Sequence, residues 1–130
     1  MRTKLLPALA LSYGAASLFH FAHNAEYLGD YPNMPAWLSP MLVYGTWLGI
    51  TAVGLAGYFL IRGGYPLAGL AVLGIYGAQG LDALGHYTLA PVSAHSFAMN
   101  LSIWLEAATG ALLLATAATM ALARMRTGRR

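Results

Sequence analysis

Residues 40–89 read PMLVYGTWLGITAVGLAGYFLIRGGYPLAGLAVLGIYGAQGLDALGHYTL, two apolar runs parted only by Arg62-Gly63-Gly64-Tyr65. Each run is long enough to cross a bilayer core, which takes about 20 helical residues. The parting tetrapeptide is a tight turn, so the pair predicts a hairpin of membrane-crossing helices at 40–61 and 66–89. Ser39 suits the N-cap of the first helix and Pro40 its first turn. Outward from this hairpin lie two further apolar runs, 5–28 and 94–123. None alternates with the period of two that a membrane strand needs. The expectation is an all-α membrane protein, one domain over 1–130, folded as a four-helix up-down-up-down bundle.

Composition agrees. The chain is 58% hydrophobic and 8% charged, where a soluble domain averages about 25% charged. Cysteine is absent, which excludes disulfides, thiolate catalysis and thiolate metal sites. Arg2 and Lys4 precede the first apolar run as in a signal peptide, but that run continues well past a signal's length, so an uncleaved helix is expected. The net charge of +3 comes from bases scattered over helix ends and forms no nucleic-acid patch.

The distribution of charge predicts an orientation. The basic residues Arg2, Lys4, Arg62, Arg124, Arg126, Arg129 and Arg130 fall at one set of helix ends, while Glu26, Asp30, Asp82, Glu106 and the four histidines fall in or near the other half. Basic ends stay cytoplasmic, so both termini are expected there, in what reads as a prokaryotic inner membrane. Tyr27, Tyr31 and Trp37 in the first connection suit the interfacial belt. Gly45 with Gly49, and Gly74, Gly77 and Gly80, form small-residue faces for close helix packing.

Ionisable groups within lipid are costly and mark candidate sites. At 100° per residue, His20, His23, Asn24 and Tyr27 share one face of the first helix. Gln79, Asp82 and His86 form a stripe on the third, and His95, Met99, Ser102 and Glu106 line the fourth. From a rise of about 1.5 Å per residue, His86 and His95 lie near the boundary, His20 and Asp82 about 10–12 Å in, and Glu106 about 15–18 Å in.

Imidazole nitrogen with carboxylate oxygen is a ligand set for zinc, copper or non-haem iron. His20, His23, Asp82, His86 and His95 are the candidate ligands, with Glu106 and Asp82 the candidate acid–base groups and Met99 a soft ligand if the ion were Cu(I). Asp82-x-x-x-His86 followed by His95 resembles the intramembrane Asp, His, His copper site of the membrane-bound methane and ammonia monooxygenases. That likeness implies no more than a ligand set workable inside a membrane.

Each residue also has a plainer reading. His86 and His95 could be wetted by headgroups, Asp82 and Glu106 could bond helices together, and Trp47 and Trp104 could simply pack. Four functions compete: a transition-metal protein doing redox or hydrolytic chemistry, a metal-free acid–base enzyme on a lipid, isoprenoid or quinone, an accessory subunit of a larger membrane complex, and a b-type haem protein. Metal binding leads on composition. Membrane lipids are the expected surroundings, with partner subunits or self-association as further expectations.

Overall fold

The computed structural model describes residues 2–127; Arg129, Arg130 and the side chain of Arg2 lie outside the described part. Its helices are α1 (Arg2–Glu26), α2 (Pro40–Arg62), α3 (Pro66–Ala78), α4 (His86–Leu89) and α5 (Phe97–Thr127). A 3₁₀ segment, Gln79–Gly85, joins α3 to α4, and shorter 3₁₀ turns lie at Leu28–Asp30 and Val92–Ala94. No strand occurs among the described residues. Four helical stretches are long and apolar enough to cross a membrane: Lys4–Glu26, Pro40–Arg62, Pro66–Leu89 and Phe97–Thr127.

The local signals around the central hairpin act as their chemistry requires. The Ser39 hydroxyl accepts from the Leu42 amide at 3.3 Å, which caps α2. At its other end the Tyr65 amide donates to Leu60 O (2.9 Å) and the Gly64 amide to Ile61 O (3.2 Å). Gly64 takes φ +89°, the left-handed conformation that ends a helix in this bonding pattern and suits glycine.

Glycines then set how closely the helices approach. A Cβ on Gly77 would sit 2.6 Å from Gly110 O, and one on Gly110 would sit 2.5 Å from Gly77 O. Here α3 and α5 meet backbone to backbone. Gly80 lies against the Tyr13 ring and Glu106 O, and Gly54 against the Tyr76 ring. Gly69 packs on Gly57 O and Ile61, closing the α2–α3 hairpin. Gly45 and Gly49 differ from the expected packing pair: among the described residues, no atom outside their own stretch of helix comes within 4 Å of a Cβ at either.

One half of the interior is apolar. Leu6, Tyr13, Ile50, Leu70, Leu73, Tyr76, Leu113 and Ala117 form a cluster there. Tyr13 and Tyr76 meet edge-on, with ring centres 4.6 Å apart, at its upper limit. Beyond them lie the buried polar side chains Ser17, His20, Asn24, His86, His95, Ser102 and Glu106, interleaved with apolar ones such as Met99 and Ile103.

The third crossing departs from the expected continuous α-helix. Residues 79–85 wind as a 3₁₀ helix, with three residues per turn rather than 3.6. Gly80 and Gly85 weaken α-helical preference in this stretch. The tighter winding buries Gly80, Ala83 and His86 at intervals of three, and turns Leu81 and Asp82 outward.

Adding a methyl group at Gly110 should therefore force the α3–α5 crossing apart. Gly110→Ala is expected to lower stability by about 1–3 kcal/mol. Gly45→Ala and Gly49→Ala should be neutral or stabilising by up to about 1 kcal/mol, because they gain helix propensity without a clash. Unfolding midpoints in mild detergent would check both.

Candidate functional site: a buried histidine–carboxylate cluster

Three helices supply the cluster. From α1 come Tyr13, Ser17, His20 and Asn24, all buried, at spacings of four, three and four that form one helical stripe. From α5 come Met99, Ser102 and Glu106, again one stripe and all buried. The 3₁₀ winding delivers His86, and the turn before α5 delivers His95. Asn100 holds that turn by donating to Val92 O (3.1 Å) and His95 O (3.2 Å), while accepting from the Tyr87 hydroxyl (2.7 Å).

At the centre, His20 Nε2 stands 3.6 Å from Glu106 Oε2, with the two side chains 3% and 1% exposed. The other ring nitrogen, Nδ1, is 3.1 Å from Ser102 Oγ. Ser102 itself donates to Met99 O at 2.9 Å, so its proton is committed and His20 Nδ1 acts as the donor. Nε2 of a neutral His20 then presents a lone pair to Glu106. Neither Glu106 oxygen has a hydrogen-bond partner, and the neighbouring Tyr13 and Ser17 hydroxyls are buried and unpaired as well.

The remaining histidines have separate engagements. His86 Nε2 accepts from Asn24 Nδ2 at 3.1 Å. His95 Nδ1 donates to Pro91 O at 3.0 Å, which leaves its buried Nε2 unpaired. His23 Nδ1 is 2.8 Å from the hydroxyl of Tyr31. The imidazoles nevertheless crowd together, with ring centres 5.2 Å apart for His20–His86 and 6.1 Å for His86–His95.

Tyr31 is the residue that sequence reasoning placed elsewhere. Rather than sitting in an interfacial belt it is 3% exposed, with its ring 5.0 Å from that of His86 and 6.5 Å from that of His95. Asn33, at φ +58°, fixes the loop by donating from Nδ2 to Leu89 O at 2.9 Å. Burial pushes the Tyr31 phenol above its ordinary value, and the nearby Ser102 hydroxyl draws it partly back. It is therefore a neutral proton donor. A shallow groove opens beside it, lined by His23, Tyr27, Asp30, Ala94, Ser96, Ala98 and Met99.

The five expected metal ligands do not converge. Asp82 is exposed, because three-residue winding carries it about 120° from the buried stripe where α-winding would have kept it close to His86. Two imidazoles sharing a tetrahedral ion through bonds of about 2 Å would have ring centres roughly 5 Å apart, near the His20–His86 spacing. Their nitrogens, however, point to Ser102, Glu106 and Asn24. Among the described residues no group of three or more His, Asp or Glu side chains is placed to hold an ion. Glu26 is exposed and accepts from the Tyr44 hydroxyl at 2.9 Å, and Asp30 is exposed at the groove.

The hydrogen bonds make the site sensitive at specific positions. Asn24→Ala removes the donor to buried His86 and should lower stability by about 1–3 kcal/mol. Asp82→Asn, at an exposed position, should change it by less than about 0.5 kcal/mol. Denaturant titration in detergent would compare the two. Set against known proteins, the chain matches no family model, no curated protein and no solved structure.

Proposed function

We propose that the protein is a metal-free acid–base catalyst in the membrane, in which the His20–Glu106 pair exchanges a proton with a lipid-soluble substrate of the lipid, isoprenoid or quinone class. The observation that carries this reading is the approach of His20 Nε2 to Glu106 Oε2 at 3.6 Å, with both carboxylate oxygens otherwise unpaired. A bare carboxylate without a partner is costly in a dry interior, so a proton on the Glu106 carboxyl, with the His20 lone pair 3.6 Å away, is the favoured arrangement. A small closing of that gap would let the proton pass from carboxyl to imidazole and back. That is the property a general acid–base pair needs.

The surroundings support an amphiphilic substrate. The groove lined by His23, one helical turn from His20, and by Met99 mixes polar and apolar side chains, suited to a polar head on an apolar body. Around it the helices expose large apolar side chains, among them Phe97, Leu101 and Trp104 on α5, so a substrate dissolved in lipid can reach the groove sideways.

In this reading the four crossings run up-down-up-down, with both termini in the cytoplasm of a prokaryotic cell and the groove facing out. Support for the course comes from contacts that advance along one helix as they recede along its neighbour: Gly54 with Tyr76, Gly57 with Leu73 and Ile61 with Gly69 between α2 and α3, Ser102 with His20 and Gly110 with Tyr13 between α5 and α1. Support for the orientation comes from Lys4, Arg62, Arg124 and Arg126, which flank the end where Leu6, Ile61 and Met120 pack.

A short-chain quinone or an isoprenoid alcohol should raise the thermal midpoint of the purified protein in detergent. Glu106→Gln should lose most of that shift, and chelators should leave it intact. Near-stoichiometric copper, zinc or iron by elemental mass spectrometry, lost in His20→Ala and His86→Ala, would instead establish metal binding and overturn the proposal.

A further inference from the structure

His20 and Glu106 are sealed, at 2% and 1% exposure, so the head of an amphiphile entering the groove meets other groups first. The groove encloses about 520 Å³, within the range of small-molecule sites. The imidazole on its wall is that of His23. Three rings fix this side chain. Tyr27 lies along it, with ring centres 4.7 Å apart and planes at 32°, while Phe19 and Tyr31 meet it edge-on at 6.2 and 5.8 Å.

The position of the imidazole proton follows from Tyr31. Its hydroxyl is 2.8 Å from His23 Nδ1, and among the described residues it has no other hydrogen-bond partner. A buried neutral phenol gives its proton to the acceptor within reach. Tyr31 therefore donates, Nδ1 supplies the lone pair, and the proton of the neutral imidazole sits on Nε2. That nitrogen bonds to nothing in the chain and, unlike His95 Nε2, is not enclosed by it. The result is an unspent N–H at the groove.

The other lining residues narrow the ligand. The groove carries one carboxylate, Asp30, and no base. An anionic head would face Asp30 without a counter-charge. An ammonium has no lone pair with which to accept from Nε2–H. An uncharged oxygen accepts that bond under neither handicap, and Ala94, Ala98 and Met99 give apolar contact to the chain behind it.

We infer that His23 holds the ligand's head by donating from Nε2 to an uncharged oxygen, a quinone carbonyl or a prenyl alcohol hydroxyl, with Tyr31 as the residue that positions the ring and fixes its tautomer. The inference rests on the reading of this protein as one that acts on an amphiphile.

Four probes test it by calorimetric titration into the detergent-solubilised protein: a short-chain quinone, and a prenyl alcohol with its phosphate ester and its amine, alike in chain and different in head. The quinone and the alcohol should bind more tightly than the phosphate and the amine. His23→Ala should weaken both by roughly three- to tenfold, and His23→Gln, whose amide can donate, should restore most of the loss. Nitrogen NMR spectra of isotope-labelled histidine, taken where the ring is neutral, should show His23 protonated on Nε2 in the wild type and redistributed toward Nδ1 in Tyr31→Phe. A role limited to holding the loop would leave that tautomer unmoved. Undiminished quinone and alcohol binding in His23→Ala, a proton on Nδ1 in the wild type, or a phosphate or amine that binds as tightly as the alcohol would each overturn the inference. If Glu106→Gln still removed the quinone's thermal shift, the acid–base reading would stand without it. A wild-type protein that bound neither the quinone nor the alcohol would remove both.

Discussion

The contact between α3 and α5 at Gly77 and Gly110 constrains everything built above it. With no side-chain layer between the two backbones, their separation is set by carbonyl oxygens against Cα carbons, which neither compress nor change rotamer. One turn further along, the same closeness brings Gly80 onto Glu106 O and the Tyr13 ring. Glu106 is thereby held against α1, within reach of His20. Close packing of this kind is a favourable way for helices to associate in lipid, where the hydrophobic effect gives no drive for helices to separate from apolar chains.

Above that crossing the interior changes character. Tyr13 and Tyr76 close the apolar half with their rings and direct their hydroxyls toward the polar half. A carboxyl placed there is surrounded by groups that can donate or accept but is tied to none of them. A structural glue residue would be fully bonded, since an unbonded polar group in a dry interior is costly. Asn24 with His86, and Asn100 with Tyr87, illustrate bonds of the structural kind. Glu106 is different, and its unspent bonding capacity is what favours chemistry over scaffolding.

Much of the fold was legible because its signals are local. The spans follow from apolar length, the start of α2 from Ser39-Pro40, and the hairpin from Gly63-Gly64. The α5 stripe of Met99, Ser102 and Glu106 was legible because that helix keeps its 3.6-residue period. On the third crossing the same period placed Asp82 beside His86 and the molecule does not, since Gln79–Gly85 winds more tightly. Gly80, Ala83 and His86, spaced by threes, carried that information, but small residues at such spacing are common in any glycine-rich helix. Tyr31 was illegible for another reason. Its burial depends on where a proline-stiffened loop docks, which local composition does not encode. The donor chemistry of the histidines pointed toward a metal; the direction of each ring nitrogen, set by Ser102, Asn24 and Pro91, lies beyond what a one-dimensional pattern holds.

The His20–Glu106 pair draws one member from α1 and the other from α5. Until α5 enters the bilayer, Ser17, His20 and Asn24 on α1 have no partner surface from that helix, and a lone α1 must carry this polar stripe in the membrane. The hairpin of α2 and α3 can close on its own glycines before then. Assembly is therefore ordered: a hairpin that can close on its own, an α1 that is poorly suited to lipid alone, and an α5 whose arrival completes both the packing and the cluster. A chain stopped short of α5 would hold three apolar spans without the His20–Glu106 contact, and the α1 stripe would lack its partner surface.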